Sequence, residues 1–470
     1  MATETENRLA RKLSPLNVGA LAFGCIIGWG AFVMPGNTFL GKAGPVGTAI
    51  GMTLASLIMI VIAINYHYMI RKFPVTGGEF AYANEAFGRK NAFICAWFLG
   101  LSYLAIVPLN ATALALIGRN LMNNIFQIGF HYSVAGYDIY LGEILLAVAA
   151  LVIFAISSIR GVKAVGVIQN ILVFMLVGGA GIVTVATFLS DKASFANISD
   201  PAFAPGVSPL AGILGVVAIA PWAFVGFDTV PQAVEEFDFP ERKTRLIMIA
   251  SIIFGGLVYV ALNTITAMVV PVGYDSWDAY IAVHKNLNGL EALPTFHVAY
   301  LVLGKTGLIL IGLAVAGAIL SGIMGFYMAT SRLLYSMANA GVLPAAFGKL
   351  HQKFKTPVYS ILFVLAISLV APFFGRTALG WIVDMSSIGA AIGYGYTSAA
   401  AFKFALAEKR SGLVITGILG TILAAIFAIL LLIPIPGLNT CLGKESYSCL
   451  IIWIVLGIVF ALVSRKKKAE

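Results

Sequence analysis

Long apolar runs alternate along the chain with short polar or Pro/Gly-rich breaks, which places twelve candidate spans near 16–40, 45–70, 91–121, 139–159, 164–189, 209–236, 247–271, 306–338, 357–375, 379–407, 412–435 and 449–464. No run shows the period-2 alternation of a membrane barrel strand. Backbone polar groups left unpaired in hydrocarbon cost several kcal/mol each, so the pattern predicts helices throughout. The expected fold is an all-α integral membrane protein of about 12 transmembrane helices.

Composition narrows this further. Of 470 residues, 60% are hydrophobic and 11% are charged, against about 25% charged in soluble domains. Twelve helices of roughly 22 residues leave only short loops, with no room for a sizeable soluble domain. The net charge of +10 would suggest nucleic acid in a soluble chain; here it reads as topology, and no nucleic-acid partner is expected. With the N-terminus inside, the outer side keeps only Lys42, Arg119, Lys192, Lys285, Lys305, Arg376 and Lys444 of 30 basic residues. That bias predicts a multi-pass protein of the plasma (inner) membrane with both termini cytoplasmic. The opening MATETENRLARKLS has no apolar signal core, so the first span is expected to be retained. The basic tail 465–470 reads as an anchor to lipid headgroups.

Cys25 and Cys95 fall inside spans as small apolar residues, whereas Cys441 and Cys449 share the last outer loop. Those two read either as a disulfide or as two free thiols. The five histidines form no HxxxH or Cys/His cluster, so no metal site and no cofactor are expected.

Two spans carry irregularities at mid-membrane. The first holds Gly28-Trp29-Gly30, where glycine lets the backbone leave helical angles. A break there frees the N–H groups that open the next half-helix, and these with the helix dipole suit a carboxylate; the alternative is a Gly-x-Gly face for helix packing. The sixth span carries Pro221-Trp222-Ala223-Phe224-Val225-Gly226-Phe227-Asp228-Thr229-Val230-Pro231, with prolines that remove backbone donors. Paired breaks in corresponding spans of two halves are the pattern of an inverted-repeat transporter. Asp228 is the one acid expected near mid-bilayer, either as a proton acceptor or as a structural acid holding the break. Asp384 and Glu143 read as interfacial, and Glu235 and Glu236 as surface partners of Arg242, Lys243 and Arg245.

These residues carry a resemblance. Ile27-Gly28-Trp29-Gly30-Ala31-Phe32, Pro74-Val75-Thr76-Gly77-Gly78-Glu79-Phe80-Ala81-Tyr82, Gly226-Phe227-Asp228 with Ala233-Val234-Glu235-Glu236, and Ser331-Arg332-Leu333-Leu334-Tyr335 followed by Leu343-Pro344 occur in order along the chain. Together they resemble the motifs of the amino acid–polyamine–organocation superfamily of transporters, bacterial amino acid permease branch. The resemblance implies a LeuT-like fold: a tail 1–15, a transport core 16–407 built of inverted repeats 16–189 and 209–407, peripheral helices in 408–464, and the basic tail. It implies that a substrate carboxylate meets the N–H groups of Gly28, Trp29 and Gly30, that the amino group meets carbonyls of Trp222, Ala223 and Val225, and that Ile27 and Phe224 also belong to the substrate-binding residues. Tyr103 and Phe326 would line the pocket, Trp222 and Phe326 would gate it, and Ser321 would sit at a candidate ion site. Trp29 departs from the small residue usual in that motif. Leu176 stands where some proton-coupled relatives carry a lysine, so the coupling ion stays open between H+ and Na+.

The expected function is a secondary transporter moving an amino acid by alternating access. The alternative is an amine or polyamine transporter, or an amino acid/amine antiporter. The partners are then a small amino acid or amine and membrane lipid; the oligomeric state is not set by the sequence. No nucleophile–base pair or phosphate loop is present, so an enzyme is not expected.

Overall fold

The computed structural model describes residues 9–122, 124–134, 137–375, 377–436, 438 and 440–466. The sequence readings that rest on residues 1–8, Arg376 and the tail 467–470 lie outside the described residues. Seven expected spans are single helices: the third (Arg89–Leu121), fourth (Leu141–Ile159), fifth (Val162–Phe188), seventh (Thr244–Met268), tenth (Thr377–Ala407), eleventh (Ser411–Leu432) and twelfth (Lys444–Lys466). Among the described residues, eight helical stretches are long and apolar enough to cross a membrane, and one of them, Pro15–Lys72, contains the first two spans.

The remaining spans are bent or broken for local reasons. The first consists of Pro15–Ile26 and Gly30–Met34, and runs through a π turn at Pro35–Phe39 into Leu40–Lys72, which bends at Gly44 (φ 70°) before Pro45. The sixth is divided into Pro209–Val217, Ala220–Ala223 and two 3-10 turns, Phe227–Thr229 and Pro231–Glu236. The eighth begins earlier than its hydropathy predicts: Pro294–Asn339 contains a kink at Gly304, so the residues before it form a separate outer segment. An unforeseen hairpin, His131–Val134 with Tyr137–Tyr140, caps the third and fourth spans. Arg119 holds it there, donating to both oxygens of Glu143 at 2.6 Å and lying 4.4 Å from the ring of Tyr137.

Packing between spans relies on small residues, as expected where lipid is as apolar as any side chain. Gly24 of the first span faces Gln169 and Ser321, and Gly322 of the eighth faces Asn110. Large apolar side chains such as Phe174 (79% exposed) and Ile451 (60%) lie on the outer faces of the fifth and twelfth spans. The first and sixth spans approach closely at Gly226 (φ 144°). A Cβ there would lie 2.5 Å from the Ile26 nitrogen and 2.8 Å from the Cys25 carbonyl carbon, so the two broken spans meet backbone against backbone.

The end richer in Lys and Arg, here the inner end, is closed. Lys12 and Leu13 each donate an N–H to the Glu236 carbonyl at 2.9 Å, and the Asp238 N–H returns to the Leu13 carbonyl at 3.0 Å. Glu236 and Glu235 are not surface partners of Arg242, Lys243 and Arg245. Glu236, fully buried, takes Arg332 Nε at 2.7 Å and Nη2 at 3.3 Å, and Glu235 accepts the Thr76 N–H at 3.1 Å. The 3-10 turn over Pro231–Glu236 directs the Glu236 side chain inward, where Arg332, 1% exposed, needs a counter-charge.

The Gly226 contact gives a stability prediction. Gly226→Ala adds a clash to a backbone conformation that costs a non-glycine residue about 1–3 kcal/mol. Gly181→Ala, in open space on the lipid side of the fifth span, is expected to be neutral or to stabilise by up to about 1 kcal/mol. Thermal unfolding of both variants in detergent checks the difference.

Candidate functional site

The first helix stops at Ile26, with Ile27 at φ −93°, ψ 87°, and restarts at Gly30. The new turn is closed by Ala31 N–H to the Gly28 carbonyl (3.3 Å) and Phe32 N–H to the Trp29 carbonyl (3.0 Å). Among the described residues, nothing accepts from the N–H groups of Gly28, Trp29 and Gly30. These donors open a helical run that continues to Gly44, so they carry the positive end of its dipole.

Across the Gly226 contact, the sixth span offers the complementary groups. The Trp222 carbonyl accepts the Val225 N–H at 3.3 Å, while those of Ala223 and Val225 accept nothing among the described residues. One break therefore presents donors and the other acceptors. Asp228 folds back to hold the second break open: its Oδ1 accepts the Gly226 N–H at 2.7 Å, and Thr229 Oγ1 donates to the Gly226 carbonyl at 2.6 Å. Pro231 extends the interruption because it has no N–H to offer.

The aromatic residues divide between two levels. Trp222 lies against Gly30 and meets Trp29 edge-on at 6.5 Å between ring centres, so the two indoles pack edge-to-face at the outer side of the breaks. Trp29 also lines an outer cavity of about 300 Å³, shared with Thr38, Lys42, Ile219, Asp384 and Cys441. Its indole, the departure noted in the sequence, thus faces the outer approach. Phe326 and Tyr103 pack at 5.8 Å on the inner side of the site, both fully buried. Phe224 is not part of this group; its ring packs on Tyr259 of the seventh span at 6.2 Å.

Ser321 stands beside the first span as expected, but as a donor, to the Gly24 carbonyl at 2.9 Å and to Ala318 in its own helix at 3.1 Å. Gln169 Nε2 likewise reaches the Ala20 carbonyl at 3.3 Å. Two carbonyls of the first span, Ala20 and Gly24, are thus engaged by side-chain donors. Cys441 and Cys449 are free thiols and no disulfide joins them. Cys441 is turned to the outer cavity, whereas Cys449 packs against an apolar cluster that includes Leu101, Met385, Ile388, Leu431, Leu442 and Leu450. No group of His, Cys, Asp and Glu suited to a metal occurs among the described residues.

Two residues near the breaks were missed in the sequence. Asn110 of the third span is 2% exposed, donates from Nδ2 to its own helix, and leaves Oδ1 unpaired beside Gly28. Glu79, which the hydropathy pattern puts in a cytoplasmic loop, is fully buried. Its oxygens take Tyr66 Oη at 2.9 Å, Tyr103 Oη at 3.3 Å and Gln232 Nε2 at 2.6 Å. The available signal was the Gly77-Gly78 pair before it: both glycines have positive φ, and added Cβ atoms would collide with Ser336 and Pro231. A turn that tight lets the loop re-enter the bundle. Asp228 is therefore not the only acid buried in the core.

Known proteins agree with this architecture. The methylthioribose transporter of Bacillus subtilis is 26% identical, over 83% of this chain and 80% of its own. The branched-chain amino acid permease BcaP of the same organism is 24% identical, over 99% and 95%. A sodium-coupled sialic acid symporter, solved in a substrate-bound outward-open state, superposes with a TM-score of 0.55 at 16% identity over 89% of each chain, and so shares the fold. The relatives are transporters rather than enzymes, and the apolar helices make this a multi-pass membrane protein. The amino acid permease family model matches residues 13–460, and the chain belongs to that family.

Proposed function

We propose that this permease carries a zwitterionic amino acid across the plasma membrane by alternating access, with both termini in the cytoplasm and with 16–189 and 209–407 acting as the two halves of the carrier. The observation that carries the reading is the backbone contact at Gly226, which sets the unpaired N–H groups of Gly28, Trp29 and Gly30 near the free carbonyls of Ala223 and Val225. A carboxylate suits the first set and an ammonium the second. Asn110 Oδ1, buried and unpaired beside Gly28, supplies a further acceptor. Trp222 and Trp29 close the outer side, and Phe326 with Tyr103 forms the inner wall.

An amine carrier finds less support. It would need Asp228 as counter-ion, and both oxygens of that carboxylate are engaged, by the Gly226 N–H and by Tyr103 Oη at 3.0 Å. It would also leave three helix-one N–H groups facing a cation. Transport itself requires only that each ligand favour one orientation of the carrier through differential contacts.

Uptake into proteoliposomes, screened over the common amino acids and diamines, tests the reading. Amino acids are expected to be taken up and to compete with one another, and diamines are not expected to compete; diamine uptake without amino acid uptake would overturn it. In the same assay Trp222→Ala is expected to lower uptake at least about tenfold, equivalent to about 1.4 kcal/mol of barrier or binding. Its thermal unfolding should stay close to wild type, and undiminished flux would reduce the indole to packing.

A further inference from the structure

We propose that Glu79 and Asp228 together form a proton site, binding one proton between them through Tyr103, and that this proton is the one coupled to transport. The proposal rests on the transporter reading for its role in coupling, and on side-chain geometry alone for the existence of the site.

Both carboxylates are fully buried, and among the described residues neither forms an ion pair with a cation. Glu79 receives Tyr66, Tyr103 and Gln232; Asp228 receives the Gly226 N–H and Tyr103. The titratable groups that face the pair are Cys25 of the first span, Tyr66 of the second, Tyr82 of the short helix Glu79–Phe87, Cys95 and Tyr103 of the third, and Tyr394 of the tenth. All are neutral or acidic. Arg332, on the neighbouring eighth span, is committed to Glu236 and to Ser331. Two anions facing each other in a low-dielectric interior without a cation do not both stay ionised.

Counting hydrogens gives the same answer. The Tyr103 hydroxyl has one hydrogen and three acceptors in reach: Glu79 Oε1 at 3.3 Å, Asp228 Oδ2 at 3.0 Å and the Asp228 carbonyl at 2.9 Å. With both acids ionised, that hydrogen serves one of them and the others go short. A single added proton on Asp228 Oδ2 donates to the Tyr103 oxygen, and the Tyr103 hydrogen turns to Glu79. The chain Asp228–Tyr103–Glu79 is then complete with one proton; protonation of Glu79 instead completes it in the opposite sense.

The two acids sit on different moving parts. Glu79 follows the Gly77-Gly78 turn, wedged against Ser336 and Pro231, with Thr76 tied to Glu235. Asp228 and Gln232 belong to the broken sixth span. Opening the inner end must part the loop from the sixth span, separating the carboxylates and admitting water to each. The closed arrangement favours the bound proton and the opened one releases it, so a proton bound with the inner end shut is delivered inside.

Infrared spectroscopy of the purified wild-type protein reads the site without any substrate. A carbonyl-stretch band of a protonated carboxyl, equivalent to one proton per chain at neutral pH, is expected, and Glu79→Gln and Asp228→Asn should each remove it. Absence of the band in wild type, or its survival in either variant, overturns the shared proton. Should a variant fail to fold, the wild-type band decides alone.

For coupling, the probe is a labelled mixture of the twenty common amino acids in proteoliposomes. An inward proton gradient is expected to stimulate wild-type uptake, with sodium replaced by choline, and Glu79→Gln should abolish at least about nine-tenths of that stimulation. Uptake that still follows the gradient in Glu79→Gln overturns the coupling role. Gradient-free counterflow by wild type tests the transport reading separately, because its failure leaves the infrared result standing.

Discussion

The contact of two broken helices at Gly226 is the constraint on which the rest of the structure depends. At that point the sixth span has no side chain, and its backbone touches that of Cys25 and Ile26. Helices in hydrocarbon satisfy their own polar groups, so a break is tolerable only where protein encloses it. Two breaks placed together enclose one another: Asp228 and Thr229 bind the groups around Gly226, and the third and eighth spans supply Tyr103, Asn110 and Phe326 as walls. What remains unpaired, donors on one side and acceptors on the other, is the polarity of a zwitterion.

Closure of the inner end uses the same pieces. The Leu13 strand contact, the Arg332–Glu236 pair and the Thr76–Glu235 hydrogen bond all converge on the 3-10 turn that follows the break. A buried ion pair of this kind contributes little net stability, because desolvation offsets most of the attraction. It does make the closed arrangement specific, since removing any one partner leaves a charge or a backbone group without its complement.

Much of this was legible in the sequence because hydropathy and glycine spacing report local facts. The spans, the Gly28–Gly30 break and the flanking prolines of the sixth span all follow from residues read within one helix, whereas Tyr103, Trp222 and Phe326 were singled out by the family resemblance. Partnerships across the fold were not legible in this way. Arg332 lies far along the chain from Glu236, and nearby basic residues made a surface pairing look sufficient. Cys441 and Cys449 are close in sequence, yet one faces the outer cavity and the other an apolar cluster. Glu79 follows the charged end of the second span, where hydropathy says the membrane has been left; only the backbone angles of Gly77 and Gly78 return it to the core.

Tyr103 links the two levels of the site. Its ring packs on Phe326 beside the substrate region, and its hydroxyl reaches both Asp228 and Glu79. A tyrosine side chain is rigid beyond its first two torsions, so a change in the packing of the ring moves the hydroxyl with it. Moving the hydroxyl redistributes the one hydrogen contested by three acceptors. If the proposed pocket and the proposed proton site are both correct, their occupancies share a free-energy term without touching each other, which is what coupling between a solute and a proton requires. The departure at Trp29 fits the same division: a bulky indole turned to the outer approach can alter which solutes enter while leaving the backbone groups and the tyrosine beneath it in place.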